Sequence, residues 1–390
     1  AYFIANGWLI LTAILMLLRK KGFAELFRSS ASFHALLGIA GTLMMLTLNP
    51  LYAGKLQWLR LIFPLGVLFA WTKGFYLTFV KVSEEKWRMR FRPIATAVWA
   101  VFAILLCLEG VFLFVGKSSM NDTTLASKIW FARHWDLTYL EFRESEDLNN
   151  PETSRSPLLF IGDSFLAGHG IKNPADRFSD RIQKSLGPAW QVHNHGQNGA
   201  NTGMQSIQVR RHPVAPKLTV LCWYVNDIQD VAEDIGLTTG NARRSVPFPI
   251  SIANGSYLFN FLNGLFPDRQ ASENYLNFLH RAFSSELVLD RYGHVLENLQ
   301  EESTLSGSKF AVVLFPMMNL VEGSEFALKP MREFWHARNV PCLDLSLVFR
   351  PHSAQDLTVN ASDSHPSKLA HQLAAAAIDT FLRNHLLVGN

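Results

Sequence analysis

Long apolar runs fill residues 1–117, whereas residues 118–390 alternate short apolar runs with polar stretches. The four longest runs lie at about 1–18, 31–49, 58–80 and 94–116. Because a helix needs roughly 20 mostly apolar residues to cross a bilayer, this half predicts an all-α membrane region of about four transmembrane helices. Further runs follow the first one, which argues against a cleavable signal peptide. The chain begins at Ala1 instead of methionine, so we expect residues to precede it.

Basic residues are distributed unevenly among the loops of this region. Those after the first and third runs are Arg19, Lys20, Lys21 and Arg28, and then Lys81, Lys86, Arg88, Arg90 and Arg92. The loop after the second run has Lys55 and Arg60. Since positively charged loops stay in the cytoplasm, the pattern predicts a multi-pass protein whose C-terminal domain is extracytoplasmic, or periplasmic if the protein is bacterial. The alternative is a soluble protein with hydrophobic helices, in which this alternation would be accidental.

Two charged residues, Lys73 and Glu109, lie inside the predicted spans. Charge is costly in lipid, so both are functional candidates. The structural alternative is that Lys73 extends to the cytoplasmic boundary. For Glu109, the alternatives are a hydrogen bond to another helix, a partner subunit or a polar cavity.

Residues 157–390 show alternating strand and helix patterns. Predicted strands lie at 157–163, 190–195, 218–225, 309–316 and 340–345. Predicted helices lie near 175–186, 201–211, 270–302, 323–338 and 366–386. Continuous apolar runs such as LTVLCWYV are typical of strands buried on both faces. We therefore predict a flavodoxin-like three-layer α/β domain with a parallel sheet.

Two further stretches complete the predicted organisation. Residues 118–156 are polar and charged, with Trp130 and Trp135, and predict a connector that contains some helix. Residues 228–268 fit no regular element well. A long irregular stretch is often a lid or a substrate loop, so we expect this one to overhang the carboxyl edge of the sheet.

Composition narrows the function classes. A chain of 390 residues suggests two or more units, and its net charge of +4 is mild. Basic residues do not gather with aromatic ones in a patch, so we expect no nucleic-acid partner. The three cysteines, Cys107, Cys222 and Cys342, lack metal-like spacing and are interpreted as buried free thiols.

Four short motifs fall at the carboxyl ends of predicted strands or before the last helix. The first is Gly162-Asp163-Ser164, which places a hydroxyl where open α/β sheets bind ligands. The second is HNHGQNGANTG, containing Gly199; the third is YVNDI, containing Asn226; and the fourth is DSHPS, containing Asp363 and His365. A serine becomes a good nucleophile when a base lies within hydrogen-bond reach, and imidazole titrates in the useful range.

With these four blocks in this order, residues 155–388 resemble the SGNH, or GDSL, hydrolase family. The resemblance implies that Ser164 is the nucleophile, His365 the general base and acid, and Asp363 the residue that orients His365. It also implies an oxyanion hole made of the backbone N–H groups of Ser164 and Gly199 and the side-chain amide of Asn226. Losing one such donor typically raises the barrier by about 3–4 kcal/mol.

The sequence departs from the family pattern at two positions. Tyr224 stands where the third block usually has glycine, and a single residue, Ser364, separates Asp363 from His365 where two are common. Asp344, after the fifth predicted strand, is therefore an alternative orienter. We interpret Asp163 as tying the turn together. The neighbouring residues His169, His193, His195 and Asp227 are interpreted as lining or structural groups.

Three functions remain open at the level of the sequence. The main hypothesis is a membrane-anchored serine esterase or O-acyltransferase that acts outside the cytoplasm on acyl esters, such as acetyl esters, of glycan or lipid-linked substrates. Its expected partners are the lipid bilayer, an acylated glycan or lipid substrate and, as an acyl donor, a membrane protein; no metal or organic cofactor is expected. The alternatives are a catalytically silent accessory subunit of a membrane complex and a lipase or phospholipase.

Overall fold

The computed structural model divides the chain into two compact units. The first comprises Ala1–Arg133 and Val246–Pro267, and the second comprises His134–Ser245 and Asp268–Asn390. The residues that the structure describes are 34, 37–38, 59–77, 86–115, 125–135, 137, 142–143, 155–239, 247–249, 253, 256–266, 269–305, 307–361 and 363–386. The bounds predicted for the connector and the domains stay predictions.

A five-stranded parallel sheet forms the centre of the second unit. Its strands are β1 Ser156–Gly162, β2 Trp190–Gly196, β3 Leu218–Tyr224, β4 Lys309–Phe315 and β5 Cys342–Asp344. They lie in the order β2-β1-β3-β4-β5, and every neighbouring pair is parallel. This is the flavodoxin-like order, and it places Ser164, which follows β1, between the ends of β2 and β3. The predicted α/β sheet is confirmed.

The sheet is buried on both faces because β1 carries apolar side chains at successive positions. Leu158 and Phe160 belong to one core cluster, and Leu159 and Ile161 to the other. All four side chains are fully buried. Since successive strand residues point to opposite faces, a continuous apolar run supplies both cores at once.

Helices cover both faces of the sheet. In chain order, the α-helices that the described residues delimit are α1 Leu59–Phe75, α2 Lys86–Val115, α3 Leu125–His134, α4 Ser164–Ala167, α5 Phe178–Leu186, α6 Thr202–Arg210, α7 Gln229–Asp234, α8 Tyr257–Gly264, α9 Arg269–Ser284, α10 Glu286–Thr304, α11 Glu325–Ala337, α12 Ser346–Phe349, α13 Ala354–Leu357 and α14 Lys368–His385. Short 3₁₀ helices lie at Pro174–Asp176, Gly187–Ala189, Val225–Ile228 and Glu322–Ser324. A small antiparallel pair, β6 Thr358–Asn360 and β7 Asp363–Pro366, precedes α14.

Two sequence predictions about the helices were wrong. The single helix predicted over 270–302 is broken at Ser285, whose backbone is extended and whose hydroxyl accepts the N–H of Val288 at 3.4 Å to cap α10. Amphipathic periodicity continues across the break, so it did not reveal the cap. The stretch 228–268, expected to be irregular, contains α7 and α8. Its part Val246–Pro267 belongs to the first unit.

The first unit contains one described helix that is long and apolar enough to cross a membrane. Its apolar window is Arg92–Glu109 in α2, with a mean hydropathy of 1.7, by length and composition alone. The predicted runs at 58–80 and 94–116 coincide with α1 and α2, which pack through a stacked Phe75–Trp99 pair with ring centroids 5.4 Å apart. The predicted runs at 1–18 and 31–49 lie almost wholly outside the described residues. The four-helix membrane region stays a prediction.

The three cysteines are free thiols, but they are not all buried. Cys222 is buried in β3, and Cys342 is partly buried. Cys107 is exposed on α2, so the interpretation of this residue as a buried thiol was wrong. Cys107 belongs to an apolar run, but that run forms a helix whose outward face carries exposed apolar side chains, so its apolar neighbours do not bury the thiol.

The buried histidine of α14 should make stability depend on pH. His371 is fully buried, and its Nδ1 accepts the backbone N–H of Phe178 at 3.2 Å. Burial, followed by the nearby charges of Arg177 and Arg181, lowers the pKa of His371 from 6.5 to about 3. The unfolded chain therefore takes up a proton as the pH falls below 6.5 while the folded chain does not, so this stabilisation is present above pH 6.5 and is lost toward pH 3.

We expect acidification from pH 6.5 to about 4.5 to cost about 2–3 kcal/mol through this group alone. His371→Gln should have a lower Tm than the wild type at neutral pH. Between pH 6.5 and about 4.5, however, its Tm should fall by less than that of the wild type. Thermal melts by circular dichroism at several pH values measure the difference. Parallel curves for the two proteins would show that His371 does not titrate on unfolding.

Candidate active site

Ser164 stands on a sharp turn between β1 and α4. Asp163 caps the turn by accepting the N–H of Phe165 at 2.9 Å, and Gly168 ends it in the left-handed conformation with φ of 74°. A Cβ on Gly162 would lie 2.9 Å from the carbonyl oxygen of Cys222, so only glycine fits beside β3. The turn places the Ser164 hydroxyl at the carboxyl edge of the sheet, as the sequence predicted.

The structure brings the predicted Ser164, His365 and Asp363 together. Nε2 of His365 lies 2.9 Å from Oγ of Ser164, and its Nδ1 lies 2.6 Å from Oδ1 of Asp363. The Asp363 side chain is 1% exposed and that of His365 is 25% exposed. Because the buried carboxylate accepts the Nδ1–H, the lone pair of Nε2 faces the serine hydroxyl. This is the arrangement in which an imidazole can take the serine proton.

The short spacing between Asp363 and His365 is explained by β7. In a strand, residues two apart point to the same side, so both side chains reach the Ser164 turn. Oδ1 of Asp363 also accepts the backbone N–H of His365 at 3.2 Å, which fixes the carboxylate. The departure from the family spacing therefore does not disturb the geometry.

Asp344, the alternative orienter, is engaged elsewhere. Its Oδ2 lies 2.5 Å from Nη1 of Arg332, and its Oδ1 accepts the N–H of Ser346 at 2.8 Å. The second interaction ties down the start of α12. The suggestion that Asp344 could orient His365 is therefore wrong.

Asp163 is a second buried carboxyl beside the nucleophile. Its Oδ2 lies 3.4 Å from Oγ of Ser164. Burial raises its pKa from 3.8 to about 6, against the opposing effects of the Phe165 N–H, the charge of His365 and hydrogen bonds from Asn226 and Ser164. Its contacts with the turn agree with the interpretation that Asp163 holds the turn together.

The two predicted oxyanion donors beyond Ser164 follow the strands that flank β1. Gly199 lies in the turn after β2 with φ of +72°, and a Cβ there would meet no atom within 4 Å. Its positive φ, more than crowding, explains the glycine. Asn226 lies in the 3₁₀ helix after β3, and its side chain hydrogen-bonds Asp163. Both therefore follow strands adjacent to β1, on opposite sides of it.

Tyr224 stands where the third block usually has glycine, and its ring packs against a neighbouring aromatic side chain. Its ring stacks on Phe165, with centroids 3.8 Å apart and planes inclined by 28°. Burial raises its pKa above the ordinary value. The Phe165 ring centroid in turn lies 5.6 Å from that of His365, so Phe165 packs between Tyr224 and the predicted base.

His193 and His195 of β2 form a cluster with His212 rather than with Ser164. The His193 and His195 rings lie 4.6 and 5.0 Å from the His212 ring. Phe142 stacks on His195 at 4.0 Å. Burial lowers the pKa of His195 well below its usual range and that of His212 to about 4. The lowered pKa values keep His195 and His212 neutral, and the placement of His193 and His195 away from Ser164 agrees with the interpretation that they are structural groups.

His169, interpreted from the sequence as a lining or structural group near the site, makes a contact with His365 that the sequence did not reveal. Its ring stacks on that of His365, with centroids 4.0 Å apart and planes inclined by 21°. Its Nε2 lies 3.8 Å from Oδ2 of Asp363. The signal in the sequence was its position five residues after Ser164, between two glycines, but many loop histidines share that feature.

His169, Asp363 and His365 also form a group whose ligand atoms lie within 4.8 Å of one another. A metal ion would have to lie near the plane of both imidazole rings to receive their lone pairs. Nearly parallel rings stacked 4.0 Å apart do not share such a point. We therefore interpret the group as an extension of the Asp363–His365 pair and not as a metal centre.

Arg143, from the predicted connector, braces the loop that carries His169. Its guanidinium donates to the carbonyl oxygens of Gly168 at 2.9 Å and Ile171 at 2.7 Å. It also lies 4.7 Å from the ring centre of Trp135. The Arg143 side chain is fully buried, so these charge-assisted bonds hold the loop on the site.

Removing the His169 ring should weaken the positioning of His365. A stacked aromatic pair contributes about 0.5–1.5 kcal/mol, so we expect His169→Ala to lower kcat about 2- to 12-fold. His169→Phe keeps a stacking ring without nitrogen atoms and should recover most of the loss. The pH profile of kcat for both variants separates stacking from an interaction with Asp363. Wild-type kcat in His169→Ala would rule out the positioning role.

The chain resembles several solved structures, whereas no family model and no curated protein matches it. A lipase/acylhydrolase from Enterococcus faecalis shares 14% identity over 59% of this chain and 96% of its own, with a TM-score of 0.37. TesA shares 13% identity over 59% of this chain and 99% of its own, with a TM-score of 0.37. A lipolytic protein of the G-D-S-L family from Veillonella parvula shares 10% identity over 60% of this chain and 99% of its own, with a TM-score of 0.36. Several of the solved structures that the chain resembles are described as lipolytic proteins of the G-D-S-L family or as a GDSL-like lipase.

Proposed function

We propose that the protein is a serine esterase or O-acyltransferase that works through an acyl-Ser164 intermediate. The observation that carries the proposal is the continuous contact from Oγ of Ser164 through His365 to buried Asp363, at 2.9 and 2.6 Å. A hydroxyl, a base and an orienting carboxylate in this arrangement are what acyl transfer requires.

In the first half of the reaction, Oγ of Ser164 attacks the ester carbonyl carbon while Nε2 of His365 accepts its proton. Asp363 stabilises the resulting imidazolium. Collapse of the tetrahedral intermediate breaks the ester C–O bond, and His365 returns the proton to the leaving alkoxide. In the second half, water gives hydrolysis, or a sugar hydroxyl gives transfer, by the same steps in reverse.

The oxyanion of the tetrahedral intermediate would be stabilised by the backbone N–H groups of Ser164 and Gly199 and by the amide of Asn226. What supports this assignment is that Gly199 and Asn226 follow the two strands adjacent to β1. Asn226 bonds Asp163 in the free protein, which orients its side chain beside Ser164. Fixed donors of this kind stabilise charge that develops in the transition state.

We further propose that the enzyme is anchored in a membrane with its catalytic domain outside the cytoplasm. The apolar window of α2 and the basic residues at its start support this topology. Acyl esters of glycans or of lipid-linked substrates, with acetyl as a small acyl group, fit such a location. A membrane protein that supplies the acyl group is a further proposed partner.

Hydrolysis of p-nitrophenyl acetate by the purified protein, compared with Ser164→Ala, tests the chemistry. We expect turnover by the wild type and loss of at least about 10⁴-fold in the variant. Adding a sugar acceptor and following acetyl transfer by mass spectrometry separates transferase from hydrolase activity. Equal turnover by the two proteins would reject Ser164 as the nucleophile.

A lipase or phospholipase is the second candidate function. It is favoured by the apolar sequence of α8 and by the exposed Leu265 and Phe266 that follow it. Release of fatty acid from defined phospholipid vesicles would support it. An accessory subunit with a silent site is less consistent with the structure, because all three catalytic groups lie in hydrogen-bond contact.

A further inference from the structure

Glu109 of α2 is buried and bonds the start of α8, a helix far away in the sequence. Its Oε1 accepts the N–H of Tyr257 at 2.7 Å. Its Oε2 accepts the N–H of Leu258 at 3.0 Å and the hydroxyl of Ser256 at 2.7 Å. The carboxylate thus faces the positive end of the α8 dipole and satisfies backbone donors that have no partner within the helix.

From these contacts we infer that α8 is an interfacial membrane helix, seated on α2 at the boundary of the hydrocarbon layer. Its lipid-facing surface would contact acyl chains and headgroups of the bilayer. The inference rests on the membrane anchoring proposed above, and it adds α8 to α2 as a second lipid-binding element.

The depth of α8 follows from the position of Glu109. Glu109 lies in the last two turns of α2, which ends at Val115, and seven residues before the end of the predicted span at residue 116, or about 10 Å along the axis at 1.5 Å per residue. The basic residues Arg90 and Arg92 mark the opposite end. Carboxylates within lipid are costly unless they are hydrogen-bonded, and the three donors from α8 supply those bonds. The start of α8 must therefore lie at the level of Glu109, about 10 Å inside the end of the predicted span, which is within the depth that interfacial helices reach.

The side chains around this junction favour lipid as the surrounding medium. Phe261 of α8 packs on Phe112 of α2, with ring centroids 4.5 Å apart. Beyond α8, Leu265 and Phe266 are 57% and 53% exposed. Along α2, exposed apolar side chains recur at a helical spacing, namely Ile94, Val98, Val101, Leu105 and Leu108. An apolar helix face that spans the whole window and has basic residues at one end is more typical of contact with a bilayer than of contact with a single protein partner.

Cysteine labelling in nanodiscs tests the inference. In a protein whose native cysteines are replaced, Phe266→Cys reports on α8, Val101→Cys on the middle of the window, and Leu305→Cys, at an 83% exposed residue of the second unit, on water. With a water-soluble maleimide we expect Phe266→Cys to react about tenfold more slowly than Leu305→Cys, and Val101→Cys to stay unreactive. A fluorophore at position 266 should be quenched more by headgroup-level spin-labelled lipid than by deep spin-labelled lipid.

The outcomes separate the two proposals. Rapid labelling of Phe266→Cys with Val101→Cys protected would overturn the α8 assignment and leave the anchor intact. Rapid labelling of Val101→Cys would overturn both. In the Phe266→Cys protein, the further substitution Glu109→Ala should accelerate labelling at position 266 about fivefold or more, because α8 loses its hydrogen bonds to α2. Glu286→Gln, at an exposed first-turn acid of α10, is the matched control and should change nothing.

Discussion

His365→Ala should lower kcat/KM for ester cleavage by about 10⁵- to 10⁶-fold, the range that loss of a catalytic base costs in comparable triads. The reason is the 2.9 Å contact between Nε2 of His365 and Oγ of Ser164. Without the imidazole, the serine proton has no acceptor that can later return it to the leaving group. Initial rates with p-nitrophenyl acetate measure the loss.

The matched control for this variant is His336→Ala. His336 is exposed in the last turn of α11, and its removal should leave kcat/KM within about twofold of the wild type. A loss below about 100-fold in His365→Ala, with the fold intact by circular dichroism, would contradict the role of His365 as the base.

Asp363→Asn should lower kcat by about 10⁴-fold while leaving the fold intact. The carboxylate accepts Nδ1–H of His365 at 2.6 Å and so keeps Nε2 unprotonated. An asparagine amide can donate to Nδ1 instead, which stabilises the opposite tautomer with a proton on Nε2. That tautomer cannot accept the Ser164 proton.

Asp344→Asn provides the comparison for Asp363→Asn. Asp344 bonds Arg332 and Ser346, so its substitution should affect stability more than kcat. Kinetics and thermal melts on both variants give the two effects separately. If kcat fell in Asp344→Asn and stayed at the wild-type value in Asp363→Asn, Asp344 and not Asp363 would be the residue that orients His365.

Much of the α/β domain could be predicted from the sequence because its signals are local. The β1 run Leu158–Ile161 is apolar at every position, which is typical of a strand buried on both faces, and it ends in the Ser164 turn. Three motif blocks follow β1, β2 and β3, so the topology of the sheet brings them to one edge, and the fourth block lies just before α14 on β7.

The parts that could not be predicted depend on contacts between distant residues. The stacking of His169 on His365 depends on the brace that Arg143 places on the loop, 25 residues away from Gly168 in the chain. The role of Glu109 depends on Ser256, which lies 147 residues away. Neither pairing leaves a periodic or compositional signal, because a single polar contact is set by the tertiary structure.

The break at Ser285 and the packing of Tyr224 were missed for a different reason. Ser285 lies within a continuous amphipathic pattern, so the periodicity conceals the cap. Tyr224 departs from the glycine of the family pattern, and the sequence did not show that Phe165 provides a stacking surface with its ring centroid 3.8 Å away. In both cases the residue type was visible in the sequence, whereas its neighbour in space was not.

Covalent labelling with a fluorophosphonate probe, followed by peptide mass spectrometry, tests the central claim most directly. Such a probe reacts with a serine that a neighbouring base activates. The geometry at His365 and Asp363 predicts one adduct, on Ser164, which is absent from Ser164→Ala and strongly reduced in His365→Ala. An unlabelled wild type, or an adduct that persists in Ser164→Ala, would contradict the proposal that this protein is a Ser164-dependent acyl-transfer enzyme.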